Sequence, residues 1–426
     1  RAYDDPRSHI IIDDAKSYFS GRQAKYDIIV SEPSNPWISG IGALFAHEFY
    51  DFVPRHLKPD GLFVQWVQLY EINDKLVASI MNALTPAFSD YRAYTSNETD
   101  LIIIATPQGK LPELKAEQVL QGLLGKDLQR IGINSLQQLA FRQVADARVL
   151  RAYGKLFGTK ANSYYYPILS LQAPQARFTR QLARNLIWLR QQSPVLQAML
   201  LDALHIRQAL PQEIEPVVLH HKGEFDTRQA RIYAGFLRTG EITPDVRQQI
   251  DPHLLSFANR LRADAATLCQ QANNGEAIVG LAESLRVAAD TTLMTLLPAQ
   301  QRGIFIEPEW LPCTPESISP DFAQILSLNA AIAQRDWAQA HKLGESWLTR
   351  TDADIRWKAQ FDDIALAAVL LDHARNNEWQ ALQAAEKRLS SAMTVRDGDS
   401  YRLISLLLAM ADEESGRANL QQGIKK

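Results

Sequence analysis

Short β-branched runs alternate with helix-period stretches over the first hundred or so residues, and then the alternation stops. "HIIID" (9–13) reads as a strand, "AKSYFSG" (15–21) as a helical segment ending at a glycine, and "YDIIVS" (26–31) as the next strand. Within it, Asp27-Ile28-Ile29-Val30 is bounded by turn formers, the pattern of a strand buried on both faces. In "LFAHEFYDFVPRHL" (44–57), Leu44, Phe45, Phe49, Phe52, Val53 and Leu57 fall on one helical stripe, and "KPDG" turns into a third strand, "LFVQWV" (62–67). Asn73 is placed to cap a helix over 73–88 whose apolar face is Leu76, Val77, Ile80 and Leu84. "YRAYTS" (91–96) and "DLIIIATP" (100–107) are two last strands, able to turn back antiparallel around "NET". Strands that alternate with helices predict an α/β region with a parallel sheet.

From about residue 110 the segments 113–124, 135–152, 177–208, 226–237, 255–296 and 321–393 are rich in Ala, Leu, Gln and Arg, which favour helix. The proline-punctuated, non-periodic stretch 297–320 reads as a linker. Beyond it, "AAIAQRDWAQA" (330–340) and "LDHARNNEWQA" (371–381) share a plan of helix, polar break, tryptophan and second helix, which suggests stacked hairpins of tetratricopeptide type. The predicted organisation is therefore an α/β part over 1–108, a helical domain over 109–296, a linker over 297–320 and a helical-hairpin domain over 321–426.

Composition narrows the function. A net charge of −3 carries no basic excess, which argues against nucleic acid as partner. Cys269 and Cys313 lie far apart and the histidines are scattered, so no metal-ligand spacing exists and no metal is expected. No apolar run reaches the roughly 18 residues that would span a bilayer. The opening "RAYDDPRSH" holds neither an initiator methionine nor a signal sequence, and the expected location is cytoplasmic.

The chemistry is expected at Ser31-Glu32-Pro33-Ser34-Asn35-Pro36, where a strand ends in polar turn formers, because ligands of open α/β sheets sit beyond the carboxyl ends of strands. "DPRSHIIIDDAKSYF" (5–19), "YDIIVSEPSNP" (26–36) and "LFAHEFYDFVPRHLKPDGLFVQ" (44–65), in that order and spacing, resemble the spermidine synthase (polyamine aminopropyltransferase) family. "ANSYYYPILSLQAPQARF" (161–178) is weakly similar to a segment of relatives with added domains. The resemblance implies a Rossmann-like sheet of the methyltransferase type that binds decarboxylated S-adenosylmethionine beside a small-molecule amine. It implies Glu32 as general base, at the position of the family's catalytic aspartate. Asp14, Ala15 and Ser31 would then contact the nucleoside, and Asn35, Gln65 and Tyr70 the amine. Asn35 stands where the family has a second aspartate, which keeps open methyl transfer from S-adenosylmethionine, or a non-catalytic module whose helices bind a protein.

Simpler roles stand beside these. Glu32 could be an acid held by a helix N-terminus, Asp13 and Asp14 helix caps, Glu48 a structural contact, and Tyr164-Tyr165-Tyr166 packing residues. Gly40 and Gly42 in "GIG" read as a mobile loop over the site. The glycine-rich turn and ribose-binding acid of such sheets are absent from the sequence. It therefore reads as the carboxyl part of a longer protein, with membrane-spanning segments ahead of the domain in some relatives. Catalysis is expected of that longer protein, with a protein partner on the helical part and a homo-oligomer both allowed.

Overall fold

The computed structural model describes residues 4–96, 99–131, 133–136, 139, 142–183, 204, 241, 244–247, 320–333, 336–392 and 399–424. The predicted helices 226–237 and 255–296, both cysteines, and the linker up to residue 319 lie outside them, as does nearly all of 184–208.

A five-stranded sheet, in the order β1-β2-β4-β3-β5, forms the amino-terminal part. Its strands are β1 (Tyr26–Ser31), β2 (Leu57–Gln68), β3 (Asp90–Thr95), β4 (Asp100–Thr106) and β5 (Gln143–Asp146). Only β1 and β2 pair in parallel, with Ser31 opposite Gln65; the other pairs are antiparallel, so the sheet is mixed rather than parallel throughout. The expected antiparallel turn-back of the last two predicted strands is present as β3 and β4. "KPDG" does not end an element as predicted: β2 runs through it, and the register shift between Tyr26 and Ile28 absorbs the extra residues as a bulge.

Two predicted strands depart further. Residues 9–13 are irregular, and Ile10, Ile11 and Ile12 are exposed, because no described strand offers them a ladder partner. β1 is an edge strand with one covered face: Ile29 is buried, but Ile28 and Val30 are 57% and 64% exposed, against the prediction of burial on both sides. Alternation of side chains across the pleat decides which of the three isoleucine and valine residues meets the core.

α1 (Ala15–Ser20) begins at Asp14, whose carboxylate accepts from the Ser17 amide, and ends at Gly21. The helix predicted over 44–57 is three pieces: a 3-10 turn (Ile41–Phe45), α2 (His47–Phe52) and a second 3-10 turn (Val53–His56). Ala46 is extended between the first two, and Pro54 cannot donate within the third. α3 (Asp74–Leu84) follows the prediction, with Asn73 accepting from the Leu76 amide and Leu76, Val77, Ile80 and Leu84 buried.

Past the sheet's fourth strand, α4 (Ala116–Val119) and α5 (Gly122–Arg130) are short, and the helix predicted over 135–152 contains β5 before α6 (Ala147–Leu156). Asp146 ends the strand and caps α6 by accepting from the Arg148 and Val149 amides. α7 (Ile168–Phe178) carries Pro174 in its middle. The carboxyl helices are α8 (Pro320–Ala333), α9 (Trp337–Thr349), α10 (Ile355–Arg375), α11 (Trp379–Leu389) and α12 (Asp399–Ile424). Successive helices pack on one another, and α12 lies along α6, where Arg151 and Lys155 pair with Glu414 and Glu413. Both repeat-like segments fall at helix corners, with Trp337 and Trp379 each opening the second helix. Trp347 is buried and donates to Asp362. Among the described residues no helix is long and apolar enough to cross a membrane.

Candidate active site

The carboxyl end of β1 passes into a turn in which the Ile38 amide donates to the Asn35 carbonyl. Pro36 presets the backbone at the second position of that turn, which puts Trp37 at its corner. Glu32, next after the strand, is exposed. Asn35 and Tyr70 are near neighbours. Burial and the charge of Asp100 raise the Tyr70 pKa, against an opposing pull from the Asn35 side chain.

Gln65 is placed differently. Fully buried, it donates to the carbonyls of Ser31 (3.1 Å) and Trp66 (2.9 Å), and its amide oxygen accepts from Tyr50 (3.3 Å). These bonds tie β1 to β2 at the strand tip and give Gln65 a positioning task. Ser31 is buried beside it, its carbonyl taken by Gln65. Asp14 is exposed and caps α1, so one of its two candidate roles is visible; Ala15 is the first residue of the same helix.

The "GIG" stretch is not a free loop. Asn162, buried, donates to the carbonyls of Gly42 (2.9 Å) and Phe45 (3.1 Å) and accepts from the Leu169 amide (3.2 Å). A β-carbon on Gly42 would stand 2.6 Å from the Ser170 hydroxyl, which would have to rotate away, so α7 packs closely on this turn. The turn is thus clamped, a role for Asn162 that its place in the weak downstream motif signalled without explaining. Glu48 makes the structural contact expected of it by accepting from the Tyr164 amide (3.0 Å). Burial, with the charges of Glu48 and Asp14, raises the Tyr164 pKa, which brings the 161–166 segment into the electrostatic surroundings of Asp14. Tyr165 is almost wholly exposed.

Sequence reasoning missed one cluster altogether. Trp37, Glu71, Pro174, Arg177 and Phe178 line a cleft of about 350 Å³. The Arg177 guanidinium sits 5.0 Å from the centre of the Trp37 ring and 3.7 Å from the Glu71 carboxylate, and Trp37 meets Tyr70 edge to face. Glu71 adopts φ +52°, a left-handed conformation that costs a residue with a β-carbon about 1–2 kcal/mol. Neighbouring backbone holds it there: Leu69 and Ile72 bond to Ala183 and Gln181, and Tyr70 bridges Leu182. No glycine or asparagine marks position 71, so the strain has no sequence signature.

The family model of the spermine/spermidine synthase domain matches residues 1–98. This segment is spermidine synthase-like. The polyamine aminopropyltransferases of Yersinia pestis (strain Pestoides F) and Yersinia pseudotuberculosis serotype O:1b (strain IP 31758) are each 32% identical to it over 93 residues, 22% of this chain and 31% of each relative. The chain thus spans about a third of the length of the curated relatives it matches. Glu32, Asn35, Gln65 and Tyr70 all lie on the spermidine synthase-like segment, whereas Asn162, Pro174 and Arg177 lie outside it and build one wall of the same region.

Proposed function

We propose that this domain transfers an aminopropyl group from decarboxylated S-adenosylmethionine to an amine acceptor. The observation that carries the reading is Glu32 standing exposed at the carboxyl tip of β1, with Asn35 in the turn that follows, within the segment matched by the spermine/spermidine synthase domain. An alkylamine is largely an ammonium near neutral pH, since its pKa lies near that of lysine. Glu32 takes the proton, and the freed nitrogen attacks the carbon beside the sulfonium. The new C–N bond forms as the C–S bond breaks, its electron pair stays on sulfur, and methylthioadenosine leaves. Asp14, Ala15 and Ser31 hold the nucleoside, and Asn35 and Tyr70 orient the amine. Gln65 acts by keeping the two strand tips in register.

The test is product analysis with the protein expressed from its complete reading frame. Methylthioadenosine formed only when a diamine is present supports the reading, and S-adenosylhomocysteine would replace it with methyl transfer. Glu32→Gln should lower kcat by about 100-fold or more if the carboxylate is the base. The carboxyl helices are read as hairpins of tetratricopeptide type that hold a protein partner, on the strength of the two matching corners at Trp337 and Trp379.

A further inference from the structure

One stretch of the chain departs from its overall charge. Residues 147–183 hold six lysines and arginines and neither aspartate nor glutamate, in a sequence whose formal net charge is −3. Arg148, Arg151 and Lys155 are paired within the fold, with Asp146, Glu414 and Glu413. Arg177 shares Glu71 and stays more than half exposed, and Lys160 and Arg180 have no carboxylate in ion-pair range among the described residues. Arg180 also adopts φ +51°, the left-handed position after a helix end where glycine is usual, so its charge is presented against backbone strain.

The same stretch carries apolar side chains into water. α7 turns Ile168, Leu169, Ala173 and Ala176 inward, whereas Leu171 and Phe178, two turns apart on the opposite side, are 71% and 89% exposed. Tyr165, just ahead of the helix, is 94% exposed. These side chains project from a convex helix surface rather than line a groove. Cations stand at both ends: the Lys160 ammonium lies 5.4 Å from the centre of the Tyr166 ring, and Arg177 and Arg180 close the far end. Aromatic and aliphatic groups flanked by lysine and arginine match the boundary of an anionic bilayer, where rings sit at headgroup depth and cations meet lipid phosphates. A second copy of the chain is a poorer match, because a two-fold contact sets a patch against itself and would oppose these cations with no acid from the stretch between them. Nucleic acid would use the cations and leave Leu171 and Phe178 without a role.

We propose that the outer face of α7, from Tyr165 to Arg180, docks on anionic bilayer lipid and holds the domain at a membrane surface. The inference is independent of the transfer reading and concerns a face outside the segment that matches the spermine/spermidine synthase domain.

Vesicle flotation of the 426-residue chain tests it, with phosphatidylcholine vesicles compared with vesicles in which about a third of the lipid is phosphatidylserine. Partition onto the anionic vesicles should exceed that onto the neutral ones by about tenfold or more, and should fall as salt rises. Arg180→Gly removes a cation while giving the left-handed position the residue that suits it, so it should fold and still lower partition by about fivefold. Phe178→Ser should lower it by about tenfold. Leu171→Ser takes its place if circular dichroism shows that Phe178→Ser is unfolded. No flotation, equal flotation with both vesicle types, or flotation unchanged by these variants overturns the proposal. A dimer in analytical ultracentrifugation that Phe178→Ser dissolves, without lipid binding, would give the face to a second copy instead. Binding of a DNA duplex that Arg180→Gly weakens and Phe178→Ser does not, again without lipid binding, would give it to nucleic acid.

Discussion

The two ends of the sheet are finished in opposite ways. At the β5 end, Tyr91 is buried with its hydroxyl on the Ala147 carbonyl, Tyr153 donates to Asp74, and α6 packs on β3 and β5 with α12 behind it. At the β1 end, Ile28 and Val30 face solvent, and the 3-10 turn after the loop that bears Glu32 and Asn35 is held by hydrogen bonds from Asn162 to the Gly42 and Phe45 carbonyls. One end is secured by apolar burial, which is non-directional, and the other by hydrogen bonds, which fix geometry. The candidate chemistry lies at the second end, where position matters more than bulk stability.

Of the variants that probe this contrast, the largest single effect belongs to Asn162. Truncation to alanine leaves the carbonyls of Gly42 and Phe45 and the Leu169 amide without their partner in a buried site. At about 1–3 kcal/mol for each group left unmade, softened by local relaxation, Asn162→Ala should lose about 4 kcal/mol in urea unfolding. A loss below about 1 kcal/mol would mean that the clamp is not what holds the loop.

The opposite end should answer to alkali. Burial pushes the Tyr91 hydroxyl up to about 12, from an ordinary value of about 10 in an unfolded chain. Below pH 10 both states are protonated and the contribution of Tyr91 is whole. As pH rises from there the unfolded chain ionises first, unfolding releases a proton, and stability falls until about pH 12, by about 3 kcal/mol. Tyr50 and Tyr153, both raised well above the ordinary tyrosine range by burial, act in the same direction. Tyr91→Phe should flatten the decline of unfolding free energy across this window; an unchanged slope would assign it to other groups.

Legibility in the sequence follows the same division. The strand "YDIIVS", the Asn73 cap and the turn-back of the β3–β4 pair were readable because neighbouring residues decide them. β5 was not, since Gln143-Val144-Ala145-Asp146 lies in a stretch rich in helix formers and becomes a strand through pairing with β3. Of the site, the tip of β1 was legible from its abrupt change to polar turn formers. The burial of Gln65 was not, because its three partners come from α2, from β1 and from its own neighbour Trp66. Arg177 meets Trp37 only after a long stretch of chain has returned, and nothing local to either residue announces the contact.

A smaller effect, of opposite sign to that at Asn162, is expected at Glu71. Glycine adopts the left-handed backbone without strain, and the ion pair it removes is an exposed one, so Glu71→Gly should raise stability by about 1 kcal/mol. A variant less stable than wild type would show that φ +52° is not under strain.

The smallest effect tests the open face itself. Val30 is mostly in water, whereas its neighbour Ile29 points into the core. Val30→Thr keeps the β-branched shape and adds a hydroxyl where solvent can reach it, so the change in unfolding free energy should stay within about 0.5 kcal/mol. Ile29→Thr, by contrast, buries an unpartnered hydroxyl and should cost several times more. A cost of about 2 kcal/mol at Val30 would show that another surface covers this face in solution, since only burial makes a hydroxyl there unfavourable. Concentration dependence of that cost would then distinguish a second copy of the chain from a segment within it, because only an intermolecular contact follows mass action.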